Sequence, residues 1–457
     1  MGKYFGTDGF RGKAGVDLTA EHAFQVGRFL GWYYSRKHAE DSARIVIGKD
    51  TRRSSYMFEN ALAAGITSSG ADAYLLHVTT TPCVSYITRT ENFDCGVMIS
   101  ASHNPFYDNG IKLIDCYGEK MDEETLLLVE DYLDGKLHVF DQDWPELPFA
   151  SRDHVGCTVD YVSGRNRYMG YLISLGIYSF RGIKVGLDCA NGSSWNIAKS
   201  IFDALGADTY VINNKPNGLN INLNAGSTHI EGLQKFVVEN HLDIGFAYDG
   251  DADRCLAVDE NGEVIDGDFI MAICGLDMKS RGKLNKDCIV GTIMTNLGFV
   301  KCCEANGIHF EATKVGDRYV LEEMLLENYS FGGEQSGHVI FRDFATTGDG
   351  QLTAAQLLSI LKLREAKLAS LKTIMERYPQ TMVNIKVSPE GKLAFHTDPK
   401  VKKAIQQATA TLNGEGRVIV RPSGTEPLLR VMVEGKDLAL IEKLANDISE
   451  VIKEELV

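Results

Sequence analysis

At 457 residues the chain is too long for one ordinary hydrophobic core, and its length predicts three or four domains. Its 44% hydrophobic and 24% charged residues are those of a globular protein, and a formal net charge of −15 argues against nucleic acid as the main partner. An anionic small molecule would then need a locally basic cleft, for which Arg11, Lys112, Arg254, Lys314, Arg318, Arg421 and Arg430 are the candidates.

Strand-like runs alternate with helical ones along the first four-fifths of the chain. ARIVIGKD precedes a helical pattern at 57–68, IKVGLDCANG one at 194–205, and DCIVGTIMTN one at 298–306. Such alternation predicts βαβ units and mainly parallel sheets. Ser54 or Ser55 is the expected cap of the first of these helices. Breaks at 141–148, 253–267 and 364–379 divide the chain into parts 1–150, 151–255, 256–370 and 371–457. The last part has a β-rich run at 417–433 and an amphipathic helix at 438–454, which reads as a two-layer α+β unit.

Four segments carry chemistry. In GVMISASHNPFYDNGIKL, residues 96–113, a short apolar strand runs into Ser102-His103-Asn104-Pro105, a turn that exposes a hydroxyl. Ser102 is a candidate covalent carrier, weakly nucleophilic until a base or metal activates it, and a plain turn is the alternative. In AYDGDADR, Asp249, Asp251 and Asp253 sit at alternate positions between apolar stretches. Carboxylates this close repel unless a cation joins them, and hard oxygen ligands in a compact loop suit Mg²⁺. Counted from Asp249, Glu260 takes the twelfth place of an EF-hand, but Arg254 occupies the sixth, where glycine is required.

The third segment, GGEQSGHV, is a glycine-rich loop whose Glu334 and Ser336 can pair with sugar hydroxyls, with His338 beside them. The fourth, RPSGTEPLLR, lies between β-rich runs. Arg421, Ser423, Gly424 and Thr425 offer a guanidinium, two hydroxyls and backbone amides, a match for a phosphate dianion, and Arg430 follows.

The ten cysteines include no C-x-x-C pair, so neither a zinc site nor a disulfide framework is indicated, and reduced thiols in a cytoplasmic protein are expected. MGKYFGTDG has no apolar signal-like core, and no later run approaches the length of a membrane span, so no membrane partner is expected.

Taken in order, SASHNP, DGDADR, GEQSGH and RPSGTEP resemble the four signature loops of the α-D-phosphohexomutase superfamily. KYFGTDGFRG, TKVGDRYV and Gln335 resemble its phosphoglucosamine mutase branch, and Ala252 stands where the commoner pattern has glycine. The resemblance implies three topologically similar α/β domains with mixed, mainly parallel sheets, plus a smaller C-terminal α+β domain, around a central cleft. It implies interconversion of glucosamine 6-phosphate and glucosamine 1-phosphate, feeding UDP-N-acetylglucosamine synthesis; a phosphomannomutase or phosphoglucomutase activity is the alternative within the superfamily. Ser102 would carry the phosphoryl group, and one Mg²⁺ would be held by Asp249, Asp251, Asp253 and phosphorylated Ser102. Glucosamine 1,6-bisphosphate or an equivalent would prime the serine. Lys112, with its pKa lowered by neighbouring cations, would be the general base, with His103 and His338 as further proton-transfer candidates. Arg11 and Arg254 would steady phosphoserine, and Lys314, Glu334 and Ser336 would bind the sugar. The unreacting phosphate would rest on Arg421, Ser423, Gly424, Thr425 and Arg430. The partner is a small sugar phosphate, and a homodimer is allowed for. Discrimination for an amino group at C2 would fall to Gln335 and His338.

Overall fold

The computed structural model describes residues 2–6, 8–38, 42–423 and 428–457. The chain divides into two compact units, Met1–Met294 with Ile308–Thr373, and Thr295–Gly307 with Ile374–Val457.

The first unit repeats one hydrogen-bonding scheme three times. Arg44–Lys49 lies parallel to both Asp72–Val78 and Cys95–Ile99, and Cys95–Ile99 returns through the antiparallel strand Asp108–Ile114. Lys184–Asp188 is likewise parallel to Asp208–Ile212 and Ile244–Tyr248, and Cys255–Asp259 returns antiparallel. In the third sheet Cys288–Thr292 is parallel to His309–Thr313 and Phe331–Gly333, and Val339–Phe341 closes the hairpin. The mixed, mainly parallel sheets are those the alternation predicts, and the turn of each closing hairpin is one of the signature loops. The three-fold similarity lies in backbone pairing, which leaves no fixed period in the sequence.

Two strands fall across the expected domain boundaries. Thr158–Asp160 pairs parallel with Asp72–Val78 and so extends the first sheet past residue 150. Cys255–Asp259 completes the second sheet beyond residue 255, its backbone paired with the strand it folds back upon and with Val264–Ile265 on its other side. The first sheet also gains Gly9–Lys13, antiparallel to Asp108–Ile114.

Buried parallel strands read as continuous apolar runs, and from Ile45 to Lys49 the strand RIVIGK is buried throughout. Against this sheet pack Ala20–Ser35, closed at its start by a capping box between Thr19 and His22, and Arg53–Thr67. The two helices touch backbone to backbone: a Cβ on Gly27 would lie 2.4 Å from the Leu62 carbonyl oxygen, and one on Gly65 would lie 2.2 Å from that of Phe24. Fully burying side chains such as Phe29, Phe58 and Leu62 contributes about 1.5–3 kcal/mol each. Neither Ser54 nor Ser55 caps the second helix, which begins at Arg53 with no side-chain cap bond. Ser55 instead gives its hydroxyl to Asp50, 2.7 Å away.

In the second unit, Gln380–Lys386, Leu428–Gly435 and Gly416–Pro422 form an antiparallel sheet backed by Pro399–Leu412 and Leu438–Leu456. This is the α+β unit expected at the C-terminal end. All ten cysteines carry free thiols. Among the described residues no helix is long and apolar enough to cross a membrane.

Candidate active site

Ser102 sits just past the strand Cys95–Ile99, 1% exposed, at a left-handed φ of +50°. That conformation is unfavourable for a non-glycine residue, so its neighbours must hold it. Arg52 Nη2 donates to the carbonyl oxygens of Ser102 (3.1 Å) and Asn104 (2.6 Å), and Asn222 Nδ2 donates to the same pair at 2.9 and 3.1 Å. Asp50 pairs with Arg52 and accepts from Ser100 Oγ at 2.7 Å, while Ser100 Oγ accepts the Ser102 amide at 2.9 Å. Ser100 is thus turned into the scaffold, and Ser102 Oγ faces the second sheet, where it donates to Asp249 Oδ2 at 2.5 Å.

Asp249, Asp251 and Asp253 lie on the hairpin turn after Ile244–Tyr248, so the helix-loop-helix of an EF-hand is absent there. All three are buried, and their ligand oxygens lie within 4.8 Å of one another. Burial, then Asp253 and Asp251, push the Asp249 carboxyl well above the usual range. Asp251 Oδ1 and Asp253 Oδ1 are buried without a hydrogen-bond partner among the described residues. Three buried carboxylates with orphaned oxygens fit a divalent cation by charge and by donor chemistry. The turn is strained at Ala252, φ +57°, so the methyl group that replaces glycine costs about 1 kcal/mol.

Lys112, on Asp108–Ile114, reaches into this cluster, with Nζ 2.8 Å from Asp251, 3.4 Å from Asp8 and 3.6 Å from Asp253. The expected lowering of its pKa by cations is not met. Burial pushes it down, but Asp251, Asp8 and Asp253 outweigh burial and hold the proton on. Asp253 feels the opposite balance: burial raises it, and Lys112 and His338 bring it well below the usual carboxylate range. Arg11 pairs with Asp8. His103 lies 3.4 Å from Ser102 Oγ and accepts from Arg254 Nη1 at 3.2 Å; burial, then Arg254 and Arg11, push its pKa down to about 4. It is therefore a neutral imidazole at pH 7.

These residues fall within recognised sequence families. Models of the phosphoglucomutase/phosphomannomutase α/β/α domains I, II and III match residues 2–137, 167–262 and 266–379, and that of the C-terminal domain matches 382–451. The chain belongs to the phosphoglucomutase/phosphomannomutase family. It is 58% identical over 453 residues to a phosphoglucosamine mutase of Lachnospira eligens, with 99% of each chain covered. It is 56% identical over 454 residues to a phosphoglucosamine mutase of Lachnoclostridium phytofermentans, again with 99% of each covered, so it stands on the phosphoglucosamine mutase branch. A phosphoglucomutase/phosphomannomutase family protein of Burkholderia thailandensis shares the fold, with a TM-score of 0.81, 20% identity, and coverage of 99% of this chain and 98% of that one.

In this mutase the GGEQSGHV segment forms the turn that closes the third sheet. Ser336 Oγ is buried with no hydrogen-bond partner among the described residues. Glu334 accepts the Gly316 amide at 3.1 Å, and burial raises its pKa against His338 and Arg254, which lower it. Gly348 N donates to His338 Nε2 at 3.0 Å, which leaves the imidazole proton on Nδ1, towards Asp253 at 3.8 Å. Gln335 donates its amide nitrogen to Asp266, 3.2 Å away, a bond that makes no use of its acceptor oxygen Oε1. Lys314 is exposed, its Nζ 5.6 Å from the Tyr319 ring centroid.

Arg421, Ser423 and Arg430 belong to the second unit. Arg421 is paired directly across the sheet from Arg430, and burial, then Arg430, lower its proton affinity. Its Nε is buried without a hydrogen-bond partner among the described residues. Ser423 is buried next to it, and Gly424 and Thr425 lie outside the described residues. Sequence reading passed over Asp8, Asp50, Arg52, Asn222, Lys120 and Asp317 as site residues. Asp8 and Asp317 stand in the motifs FGTDGFRG and TKVGDRYV, which was the available signal; Lys120 stands in no motif.

Proposed function

We propose that the enzyme interconverts glucosamine 6-phosphate and glucosamine 1-phosphate, carrying the exchanged phosphoryl group on Ser102. The observation that supports this most is the position of Ser102 Oγ, 2.5 Å from Asp249 at the edge of a buried three-carboxylate cluster. In the forward direction the bond from phosphorus to Ser102 Oγ breaks as one forms to the free sugar hydroxyl. The hydroxyl loses its proton, Ser102 Oγ gains one, and the product is glucosamine 1,6-bisphosphate. After this intermediate reverses its orientation, its other phosphoryl group returns to Ser102. The same bisphosphate, or an equivalent, would prime the serine.

Asp249, Asp251 and Asp253, with an oxygen of phosphorylated Ser102, would hold one Mg²⁺, which would supply polarisation of phosphorus and neutralisation of its charge. Lys112, kept protonated by three carboxylates, is suited to give a proton; the neutral amine it then becomes can accept one in the return step. Arg11 and Arg254 flank neutral His103 and would steady the phosphoryl group. His338 stands ready to move a proton at Nδ1, while Glu334, Ser336 and Lys314 would hold the sugar. Arg421, Ser423, Gly424, Thr425 and Arg430 would anchor the unreacting phosphate, a role supported by two guanidiniums facing each other across one sheet.

A coupled assay with the 6-phosphates of glucosamine, glucose and mannose tests the reading. The expected order of kcat/KM places glucosamine 6-phosphate first, with low residual activity on the other two. A preference for glucose or mannose 6-phosphate would overturn the substrate assignment.

A further inference from the structure

We propose that Lys120 is a positioning residue for phosphoryl transfer, its ammonium tying the carboxylate that holds Lys112 to the carboxylate that faces His338. The proposal rests on the reading above that Lys112 and His338 move protons during the reaction.

Six side chains, three carboxylates alternating with two lysines and a histidine, close into a ring. Lys112 Nζ lies 3.4 Å from Asp8, Asp8 3.1 Å from Lys120 Nζ, and Lys120 Nζ 2.8 Å from Asp317. Asp317 lies 3.6 Å from His338 Nε2, His338 Nδ1 3.8 Å from Asp253, and Asp253 3.6 Å from Lys112 Nζ. The ring draws Asp8, Lys112 and Lys120 from the first sheet and its margin, Asp253 from the second, and Asp317 and His338 from the third. All six line one cavity of about 290 Å³.

Within the ring Lys120 alone joins Asp8 to Asp317. Its backbone is fixed by a bridge to Ile114, at the end of the strand that carries Lys112. Asp317 opens the helix Asp317–Leu326, so Lys120 also ties that helix to the Lys112 strand. Burial would neutralise both acids, but Lys112, Lys120 and Arg11 hold Asp8 ionised, and Lys120 and His338 do the same for Asp317. A lysine suits this place because one compact charge can donate in two directions, whereas the planar fork of arginine favours a single bidentate partner. Without that charge, two half-buried carboxylates would face each other and swing apart, and Lys112 and His338 would move with them.

Lys120→Met, measured in the full chain, should lower kcat about 100-fold, the cost of a misplacement near 1 Å, with KM for glucosamine 6-phosphate changed less than about two-fold. Phosphoserine content should stay at the wild-type level, and Lys120→Arg should recover part of kcat. Should Lys120→Met lose stability, adding Asp317→Asn removes the unpaired carboxylate and should restore Tm while kcat stays low. A wild-type kcat in Lys120→Met, or recovery of kcat together with Tm in the double variant, would overturn the positioning role. A wild type that never carries phosphoserine would instead sink the mutase reading on which it rests.

Discussion

Replacing Arg52 by methionine removes a cation beneath the Ser102 loop while nearly keeping the side-chain volume. Arg52 is fully buried, pairs with the equally buried Asp50, and donates to the carbonyls of Ser102 and Asn104. Deleting one partner of a buried ion pair costs about 3–5 kcal/mol. Asp50 would keep bonds from the residue-52 amide at 2.9 Å, Ser55 Oγ at 2.7 Å and Ser100 Oγ at 2.7 Å. Both carbonyls would keep Asn222. The low end, about 3 kcal/mol, is therefore expected from urea unfolding. Relaxation of the Ser102 loop should also lower kcat, by about 100-fold for a shift near 1 Å. Adding Asp50→Asn removes the stranded charge and should return most of the stability without returning kcat. A loss below about 1 kcal/mol in Arg52→Met, with kcat unchanged, would refute the claim that this cluster holds Ser102 in its left-handed conformation.

Other outcomes follow from the same geometry. Exhaustive chelation should stop turnover and Mg²⁺ restore it, and Asp251→Asn should weaken Mg²⁺ binding in calorimetry without unfolding the apoprotein, because Oδ1 has no hydrogen-bond partner to lose among the described residues and an amide oxygen at Oδ2 can still accept from Thr81 and Lys112. Asp349, which caps the helix Gly350–Arg364, is pushed up to about 6, chiefly by burial, against opposing bonds from Leu352 and Tyr168. Because the folded pKa exceeds the unfolded one, its contribution to stability is full below about pH 4 and is lost as pH rises through about 6. Asp349→Asn should accordingly gain on the wild type across that window, by up to about 3 kcal/mol in denaturation at successive pH values; a constant difference would contradict this. Arg421→Ala should raise KM and lower kcat together while phosphoserine content stays normal, since an anchored phosphate positions the hydroxyl as well as binding it.

The chemistry-bearing loops were legible because each packs its reactive types into a few residues: Ser102-His103, Asp249 to Asp253, Glu334 to His338. The alternation of apolar runs likewise gave parallel sheets. What escaped depends on residues remote in sequence. Arg52 and Asn222 act on Ser102 from positions 50 and 120 residues away. Lys120 looks like any exposed turn lysine until Asp8 and Asp317 close on it. The lowered pKa expected of Lys112 rested on the general-base role that the resemblance implies, while the fold brings three carboxylates to its ammonium. Ser55 has the type and place of a helix cap, but Asp50 competes for its hydroxyl and wins.

The central claim is that Ser102 carries the phosphoryl group that ends on the sugar. Enzyme radiolabelled on its phosphoryl group should be mixed with unlabelled glucosamine 6-phosphate and quenched within a single turnover. The label should leave Ser102, pass into glucosamine 1,6-bisphosphate and then glucosamine 1-phosphate, and not appear as inorganic phosphate. Label that stays on the protein while glucosamine 1-phosphate accumulates, or product formed at the wild-type rate by Ser102→Ala, would contradict the account.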